Sequence, residues 1–357
     1  MSLRLRFFVL LGLAAAAEFT VPRSVRAQNA PRPNSIPAKG DVILLLGTHG
    51  GPGLTKERSE PATLLIVDGR PYLIDCGIGT MRRLLEAGVN SAAIGTIFIT
   101  HDHPDHALGL SGVLENDFLS DDFGGRGRSH TFNIYGPPPT AQLVRAAYNY
   151  IRISYSTFAA ENLGASALAD PFEAHEIDRD GVVFHDDKIR VTAAENTHFQ
   201  LMPGEYRARM KSYAYRFETP YGAIVFTGDT GPSAAVEKLA ASAGVLVSEV
   251  IDLGAGANGA STVPGTSREP SANARALAAH MSKEHLPMKD LGEMATGARV
   301  KSVLMTHFVG AGSANQFIAG VKKYYSGPVF AGDDLARYCL PAPDTSGAAA
   351  HTLAPCE

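Results

Sequence analysis

Short apolar runs recur along the whole sequence, and many of them stop at a glycine or a polar residue. Runs of this length that are bounded by turn-forming residues are typical of buried β-strands. Strands are therefore predicted at Asp41–Leu46, Thr63–Val67, Tyr72–Ile74, Thr96–Ile99, Asn133–Tyr135, Ile189–Ala193, Ala223–Phe226, Val245–Val247, Val303–Met305 and Val329–Ala331.

Segments with the periodicity of helices separate several of these runs. The chain has 357 residues, of which 45% are hydrophobic and 19% charged, so it can bury a large core. Strands with interspersed helices predict a mixed α/β domain built in layers. The helices are predicted at Met81–Ala87, Thr140–Tyr150, Ser233–Ala241, Ser271–Lys283, Lys289–Ala298 and Ala314–Tyr325.

The N-terminus has the pattern of a signal peptide. Arg4 and Arg6 precede the apolar run Phe7–Ala17, and Val25-Arg26-Ala27 offers a cleavage site after Ala27. The run is too short to cross a bilayer, which takes about 20 residues. We therefore expect residues 1–27 to be removed, and the mature protein to be periplasmic or secreted without membrane insertion; a membrane-tethered N-terminus is the alternative.

The remaining chain divides into three parts. Residues 28–40, rich in Pro and Ala, are expected to form a disordered linker, residues 41–340 the folded domain, and residues 341–357 a C-terminal tail. Asp117–Ser129 and Leu253–Gly265 are predicted to be mobile loops.

Charge and cysteine content narrow the class of protein further. Loss of residues 1–27 removes four Arg and one Glu, which changes the net charge from −4 to −7. An acidic chain is a poor match for a polyanion, so no nucleic-acid partner is expected. A bridge between Cys339 and Cys356 is possible in an oxidising compartment. Cys76, at the end of an apolar run, is interpreted as a buried thiol without a chemical role.

Potential metal ligands crowd together directly after the strand Thr96–Ile99. The segment His101-Asp102-His103-Pro104-Asp105-His106 has the spacing H-x-H-x-D-H. Imidazoles and carboxylates are the ligands that zinc prefers, and Pro104 biases His103 toward an extended backbone. A zinc site with an open position takes three protein ligands, so this crowding indicates two ions.

Three further polar residues follow apolar runs elsewhere in the chain. They are His198 after Ile189–Ala193, Asp229 after Ala223–Phe226, and His307 after Val303–Met305. Residues at the ends of several buried strands can meet at one edge of a core. Any one of them alone could be an ordinary satisfied polar residue, but together they complete a set of ligands.

In order, these segments resemble the motifs of the metallo-β-lactamase superfamily. The resemblance also rests on Gly47-Thr48-His49-Gly50-Gly51, Asp75-Cys76-Gly77, Phe226-Thr227-Gly228-Asp229-Thr230 and Thr306-His307-Phe308. It implies an αββα sandwich, an α/β fold in which two mixed sheets pack face to face with outer helices. It also implies two Zn²⁺ ions, with His101, His103 and His198 on one, Asp105, His106 and His307 on the other, and Asp229 bridging both.

Within that superfamily the sequence resembles the RNase Z-like branch, which includes phosphodiesterases and arylsulfatases. His285 lies 22 residues before His307, as that branch's additional histidine does, and Glu249 could orient it. A solvated surface histidine is the alternative interpretation of His285. The tRNA-processing members usually insert a long binding arm between the third histidine and the bridging aspartate. Here His198 and Asp229 are only 31 residues apart, so we expect no arm.

These observations predict a zinc-dependent hydrolase. A hydroxide held between the ions is expected to attack a phosphodiester or a sulfate ester of a small molecule. Asp105 and His285 are the predicted catalytic residues: Asp105 ligates zinc and orients the hydroxide, and His285 donates a proton to the leaving oxygen. A homodimer is possible.

Other chemistries on the same scaffold stay open. Hydrolysis of a cyclic ester or amide, as in lactonases and β-lactamases, needs the same hydroxide, although recognised β-lactamases lack the bridging aspartate. Di-iron redox chemistry occurs in relatives that have glutamate where this chain has His103. A binding protein without catalysis is disfavoured by the complete ligand set.

Overall fold

Two β-sheets packed face to face form the centre of the fold, in a computed structural model that describes residues 39–51, 53–115, 131–161, 172–254, 271–340 and 353–356. The strands, in chain order, are β1 (Asp41–Gly47), β2 (Ala62–Val67), β3 (Arg70–Ile74), β4 (Thr96–Phe98), β5 (Phe132–Gly136), β6 (Phe172–Glu176), β7 (Gly181–His185), β8 (Arg190–Glu195), β9 (Tyr213–Thr219), β10 (Gly222–Phe226), β11 (Val245–Ile251), β12 (Val303–Val309), β13 (Val329–Ala331), β14 (Arg337–Leu340) and β15 (Ala354–Pro355).

Both sheets are mixed. The first has the order β15-β14-β1-β2-β3-β4-β5-β6, antiparallel from β15 to β3 and parallel from β3 to β6. The second has the order β13-β12-β11-β10-β9-β8-β7, parallel from β13 to β10 and antiparallel from β10 to β7. The parallel strands in each sheet bring several carboxyl ends to one edge, where connecting loops can form a site.

The helices, in chain order, are α1 (Thr80–Glu86), α2 (Pro104–Ala107), α3 (Thr140–Ala160), α4 (Gly204–Arg207), α5 (Ala234–Leu239), α6 (Ala272–Lys283), α7 (Met288–Gly297) and α8 (Ala314–Lys322). Of these, α1 and α3 cover the outer face of the first sheet, and α5, α7 and α8 cover that of the second. The Ser313 side chain accepts from the Gln316 backbone amide, and the Gln316 side chain accepts from the Ser313 amide, so a capping box starts α8.

The alternating direction of the side chains along β1 explains why its sequence is an unbroken apolar run. Val42, Leu44 and Leu46 belong to the cluster beneath α1 and α3, whereas Ile43 and Leu45 belong to the cluster between the sheets. Successive side chains of a strand point to opposite faces, and both faces of β1 are covered. The strand therefore has no face on which a polar side chain would reach water.

The second sheet is built in the same way. Ile224 and Phe226 of β10 pack between the sheets, and Val225 packs outward in a cluster that also contains Leu291 of α7 and Phe317 of α8. The result is an αββα sandwich of two mixed sheets with outer helices, which confirms the fold that the family resemblance implies. The predicted strands are all present, within a few residues at their ends.

The strands that sequence analysis missed are β6, β7, β9, β14 and β15. β6 and β7 lie at sheet edges and carry polar, partly exposed side chains, so their apolar pattern is weak. Helix α3 continues ten residues beyond the predicted Tyr150, and Ile151 and Tyr155 in this extension are buried.

Several predictions concern residues outside the described ranges. The signal peptide lies outside them, as do the linker up to residue 38, the loop Asp117–Ser129 and most of Leu253–Gly265.

Cys339 and Cys356 form a disulfide, and Cys76 is free and fully buried. Burial raises the pKa of the Cys76 thiol to about 12, in agreement with its interpretation as inert. Within the described ranges, no helix has the length and hydropathy required to span a membrane.

Candidate metal centre and active site

The predicted ligands converge at one edge of the sandwich, where strands of both sheets end. β4 leads into the segment that holds His101 and His103, β8 into His198, and β10 into Asp229, whereas His307 lies within β12. All the predicted ligands are buried or half-buried.

The first group contains His101, His103 and His198. One ring nitrogen of each lies within 4.8 Å of those of the other two. The Nε2 of His198 is 3.1 Å from the Nδ1 of His103. His103 has the extended backbone predicted from Pro104, which begins the one-turn helix α2.

The second group contains Asp105, His106 and His307, again with ligand atoms within 4.8 Å of one another. Asp105 and His106 are adjacent residues of α2, and His307 approaches from β12. The Nε2 of His307 lies 3.5 Å from Oδ2 of Asp105. The structure thus gathers the two sets of three residues that the family resemblance divides between two ions.

Asp229 lies between the two groups. Its Oδ2 is 4.0 Å from Nε2 of His101 and 3.9 Å from Nε2 of His198, both in the first group. The same oxygen is 3.1 Å from Nε2 of His307, and Oδ1 is 3.3 Å from Nε2 of His106. One carboxylate therefore faces ligands of both groups, which is the position expected of a bridging residue.

Several buried atoms of this cluster have no hydrogen-bond partner within the described part of the chain. A buried polar atom without a partner costs about 1–3 kcal/mol, so a set of them at one point needs an explanation. A bound cation would supply the missing partner to the atoms that face the centre, which for His307 is one of its two ring nitrogens, Nε2. The atoms are Nε2 of His101, Nε2 of His106, Oδ1 of Asp229, and both ring nitrogens of His307.

The protonation preferences of the cluster fit a cation as well. Burial lowers the pKa of His101, His103 and His198, that of His103 to about 4, so these rings are neutral and can each offer a lone pair. Burial also opposes protonation of His307, but the charge of Asp229 and hydrogen bonding to Asp105 and Asp229 together outweigh it and raise the His307 pKa to about 10. Without a metal, protons on His307 neutralise buried carboxylates, a task that a divalent cation would take over.

Neighbouring polar groups orient the candidate ligands. The Nδ1 of His106 lies 2.8 Å from Oδ2 of Asp75, and Oδ1 of Asp75 accepts the backbone N–H of Thr100 at 2.7 Å. The Nδ1–H of His198 donates to the carbonyl oxygen of Glu284 at 2.8 Å. Because Nδ1 is occupied in both rings, Nε2 is the nitrogen that faces the centre.

The local backbone is constrained where it carries these side chains. Asp75 has a φ of 58° and His307 a φ of 44°, values that non-glycine residues rarely adopt. Between β11 and β12 the register shifts after Ser248, so β12 is irregular around His307. Such outliers cluster at functional sites.

His285 is held by the residue that sequence analysis suggested as its partner. Its Nδ1 is 2.6 Å from Oε2 of Glu249, and Oε1 of Glu249 accepts the N–H of Thr230 at 2.5 Å. Burial opposes protonation of His285, but the Glu249 charge raises its pKa above the ordinary value. Both residues are buried, which excludes the alternative of a solvated surface histidine. The catalytic role of His285 stays a prediction.

Sequence analysis missed two residues next to His285. His280 on α6 places its Nε2 3.3 Å from Nε2 of His285, and its Nδ1 lies 2.7 Å from Oε2 of Glu284. His280 and Glu284 are four residues apart, which is the spacing of a side-chain pair on a helix. This spacing is a signal in the sequence from which the pair could have been predicted.

The interval between His198 and Asp229, all of it described, is short. It contains helix α4 and the hairpin β9–β10, and no separate arm extends from it. This agrees with the expectation from the 31-residue spacing.

Comparisons with known proteins agree with this geometry. Residues 70–308 match the family described as Beta-lactamase superfamily domain. The ribonuclease Z of Mycolicibacterium paratuberculosis (strain ATCC BAA-968 / K-10) is 31% identical over 315 residues, covering 84% of this chain and 99% of that protein.

Two solved structures have the same fold. The metallo-β-lactamase fold protein YhfI from Bacillus subtilis aligns with a TM-score of 0.59 and 16% identity, over 84% of this chain and 98% of YhfI. The short form of human tRNase Z aligns with a TM-score of 0.57 and 20% identity, over 84% of this chain and 100% of that one. The family match, the ordered motifs and the sandwich agree, and the chain belongs to the RNase Z-like branch of the metallo-β-lactamase superfamily.

Proposed function

We propose that this chain is a hydrolase that uses two zinc ions to cleave phosphodiester bonds. The observation that carries this proposal is the position of Asp229, whose carboxylate faces both groups of candidate ligands. His101, His103 and His198 would hold one ion, Asp105, His106 and His307 the other, and Asp229 would contact both. Two bound zinc ions would supply Lewis acidity and lower the pKa of water to near neutrality.

The chain's own residues would position the reaction and move the proton. Asp105 has one oxygen, Oδ2, fixed by the backbone N–H of Gly51 at 2.9 Å, so its carboxylate has a defined orientation and would position the attacking water. His285, protonated beside Glu249, would donate a proton from Nε2 to the leaving oxygen. Glu249 is a positioning residue, because it acts through His285.

The substrate is proposed to be a small phosphodiester, with a sulfate ester as the related alternative. The acidic net charge of −4 supports a small ester over a polyanion, and so does the short interval between His198 and Asp229. RNA is a second candidate, supported by relatives named ribonuclease Z. Hydrolysis of a lactone or a β-lactam is a third.

Metal analysis followed by a substrate panel tests this proposal. We expect about two zinc ions per chain, and turnover of bis(p-nitrophenyl) phosphate above that of p-nitrophenyl sulfate, a lactone and a cephalosporin. A precursor tRNA belongs in the same panel, and preference for it would replace the small diester by RNA. Preference for the lactone or the cephalosporin, or protein that takes up no metal, would overturn the proposal.

We further propose that the protein is exported and works in the periplasm or outside the cell. Support comes from the signal-peptide pattern of residues 1–27 and from the disulfide between Cys339 and Cys356, a bond typical of oxidising compartments. Cell fractionation and mass spectrometry of the purified chain test this. Intact residues 1–27 on protein recovered from the cytoplasm would contradict it.

A further inference from the structure

A cleft of about 600 Å³ opens beside the candidate metal centre. Its volume lies in the range typical of small-molecule sites, and His103 of the first ligand group forms part of its wall. The other residues that line it are Asp102, Pro138, Pro139, Gln142, Leu143, Ala146, Phe199, Met202, Met210 and Lys211.

Most of this wall is apolar. Leu143 and Ala146 come from the first turns of α3, Phe199 and Met202 from the segment after His198, and Met210 from the end of that segment. Met210 is 40% exposed although it is a large apolar side chain. Apolar side chains grouped at the mouth of a cleft mark a surface that a ligand can cover.

The charged groups of the wall do not suit a second anion. The Nζ of Lys211 is already paired with Oε2 of Glu195 at 2.7 Å. Asp102 contributes a carboxylate, with Thr140 Oγ1 3.3 Å away. Lys211 is the one cationic side chain among the described lining residues, so an additional phosphate in the cleft would face Asp102 with no unpaired cation to offset it.

The apolar wall is fixed to the metal centre. The ring of Phe199 lies 5.1 Å from that of His103 and 5.6 Å from that of His101, measured between centroids. The segment after Phe199 is tied to α6 and the residue that follows it, because Gln200 Nε2 donates to the Lys283 carbonyl at 2.6 Å and the Leu201 N–H donates to Glu284 at 2.7 Å. A group in the cleft would therefore lie at a defined position relative to the candidate ligands.

We propose that this cleft is a specificity site for an uncharged apolar group, alkyl or aryl, attached to the scissile ester. The proposal rests on the phosphodiesterase function proposed above and names the class of substrate: a diester with one apolar substituent. The wall chemistry disfavours a polynucleotide, whose neighbouring phosphates would meet the Asp102 carboxylate. Binding of RNA through this cleft is the competing outcome of the test.

The experiment uses alkyl p-nitrophenyl phosphates in which the leaving group is constant and the alkyl group grows from methyl to octyl. We expect kcat/KM to rise by about fourfold for each methylene that leaves water, until the cleft is filled. A flat series would overturn the proposal.

Two variants connect the effect to the cleft. Leu143→Gln and Met210→Gln place a polar group in the apolar wall, so we expect the ratio of octyl to methyl kcat/KM to fall about tenfold or more in each. Leu85→Gln is the matched control, since Leu85 is 65% exposed on α1 and does not line the cleft. An equal fall in the control, or no change in the two variants, would contradict the assignment.

A binding measurement separates failure of this proposal from failure of the proposed function. Isothermal titration with methyl and octyl monoesters of methylphosphonate needs no turnover. Tighter binding of the octyl ester, lost in Leu143→Gln, supports the cleft even if no diester is hydrolysed. Equal affinity for both esters contradicts it even if diesters are hydrolysed. The octyl ester and a precursor tRNA can also be tested for competition. If they compete, and if Leu143→Gln lowers the affinity for the tRNA, the cleft binds RNA instead.

Discussion

The Nδ1 atom of His285 lies 2.6 Å from Oε2 of Glu249, and both side chains are buried beside the cluster of candidate ligands. The contact determines which nitrogen of His285 remains for chemistry. Nδ1 is engaged with the carboxylate, so Nε2, which lies 3.3 Å from Nε2 of His280, is the atom that can deliver a proton. The same contact stabilises the charged ring.

His285→Ala is expected to keep the metal content and to slow hydrolysis by about 10²–10⁴ for esters with poor leaving groups. The loss should shrink as the leaving group becomes a weaker base, because a good leaving group needs no proton. Rates across aryl phosphodiesters of graded leaving-group pKa measure this. His185→Ala, which removes an exposed histidine of β7, is the control. A uniform loss across the series, or a fall in metal content, would show that His285 is a ligand or a structural residue.

Asp229→Ala is expected to reduce metal content at both sites, from about two ions to fewer than one per chain. The reason is that its carboxylate faces both ligand groups, so its removal takes a candidate ligand from each site and a buried negative charge from beside His307. Metal analysis and melting temperature with and without added zinc measure the effect. Asp178→Ala removes an exposed carboxylate and is the control. If Asp229→Ala kept full metal content and full activity, the assignment of Asp229 as a ligand would be wrong.

Gly51→Ala is expected to disturb Asp105. A Cβ built at Gly51 would lie 2.3 Å from Oδ2 of Asp105, the oxygen that the Gly51 N–H donates to. Steric conflict of this kind costs about 1–3 kcal/mol, so we expect activity to fall at least tenfold. At Gly53 the same substitution meets nothing within 4 Å, which makes Gly53→Ala the matched control. Equal activity of the two variants would mean that the position of Asp105 is unimportant.

Asp41 predicts a pH dependence of stability that is independent of the metal centre. Burial raises its pKa from 3.8 to about 7, with Thr219 Oγ1 donating to Oδ2 at 2.6 Å and Oδ1 lacking a partner in the described structure. Between pH 3.8 and about pH 7, Asp41 keeps its proton in the folded state and has lost it in the unfolded state. The free energy of unfolding therefore falls as pH rises through this window.

Asp41→Asn removes this titration. We expect the variant to have a higher melting temperature than wild type at pH 8 and a similar one at pH 4, because asparagine resembles the protonated acid. Thermal denaturation at both pH values measures it, with Asp178→Asn on the surface as the control. If the difference in melting temperature between variant and wild type did not change with pH, Asp41 would not be protonated in the folded state.

Much of the fold follows from local patterns that a reader can find in the sequence. β1 is apolar at every internal position because both of its faces are covered, and that signal is strong enough to predict the strand. β6 and β7 escaped prediction because edge strands carry polar side chains and are defined by their neighbours. The candidate metal ligands that were identified follow apolar runs or stand together in one segment, whereas His285 was identified only by its interval to His307 in the family resemblance.

The ligand types and their order were determined by the sequence alone, since H-x-H-x-D-H and the polar residues after apolar runs are local features. Only the tertiary structure decided how they combine. Glu249 and His285 are 36 residues apart, and His198 and the Glu284 carbonyl are 86 apart. Such contacts depend on how two sheets pack and on an irregular backbone at His307, and no local pattern encodes either. The same holds for the apolar cleft, whose walls come from α3 and from the segment after His198.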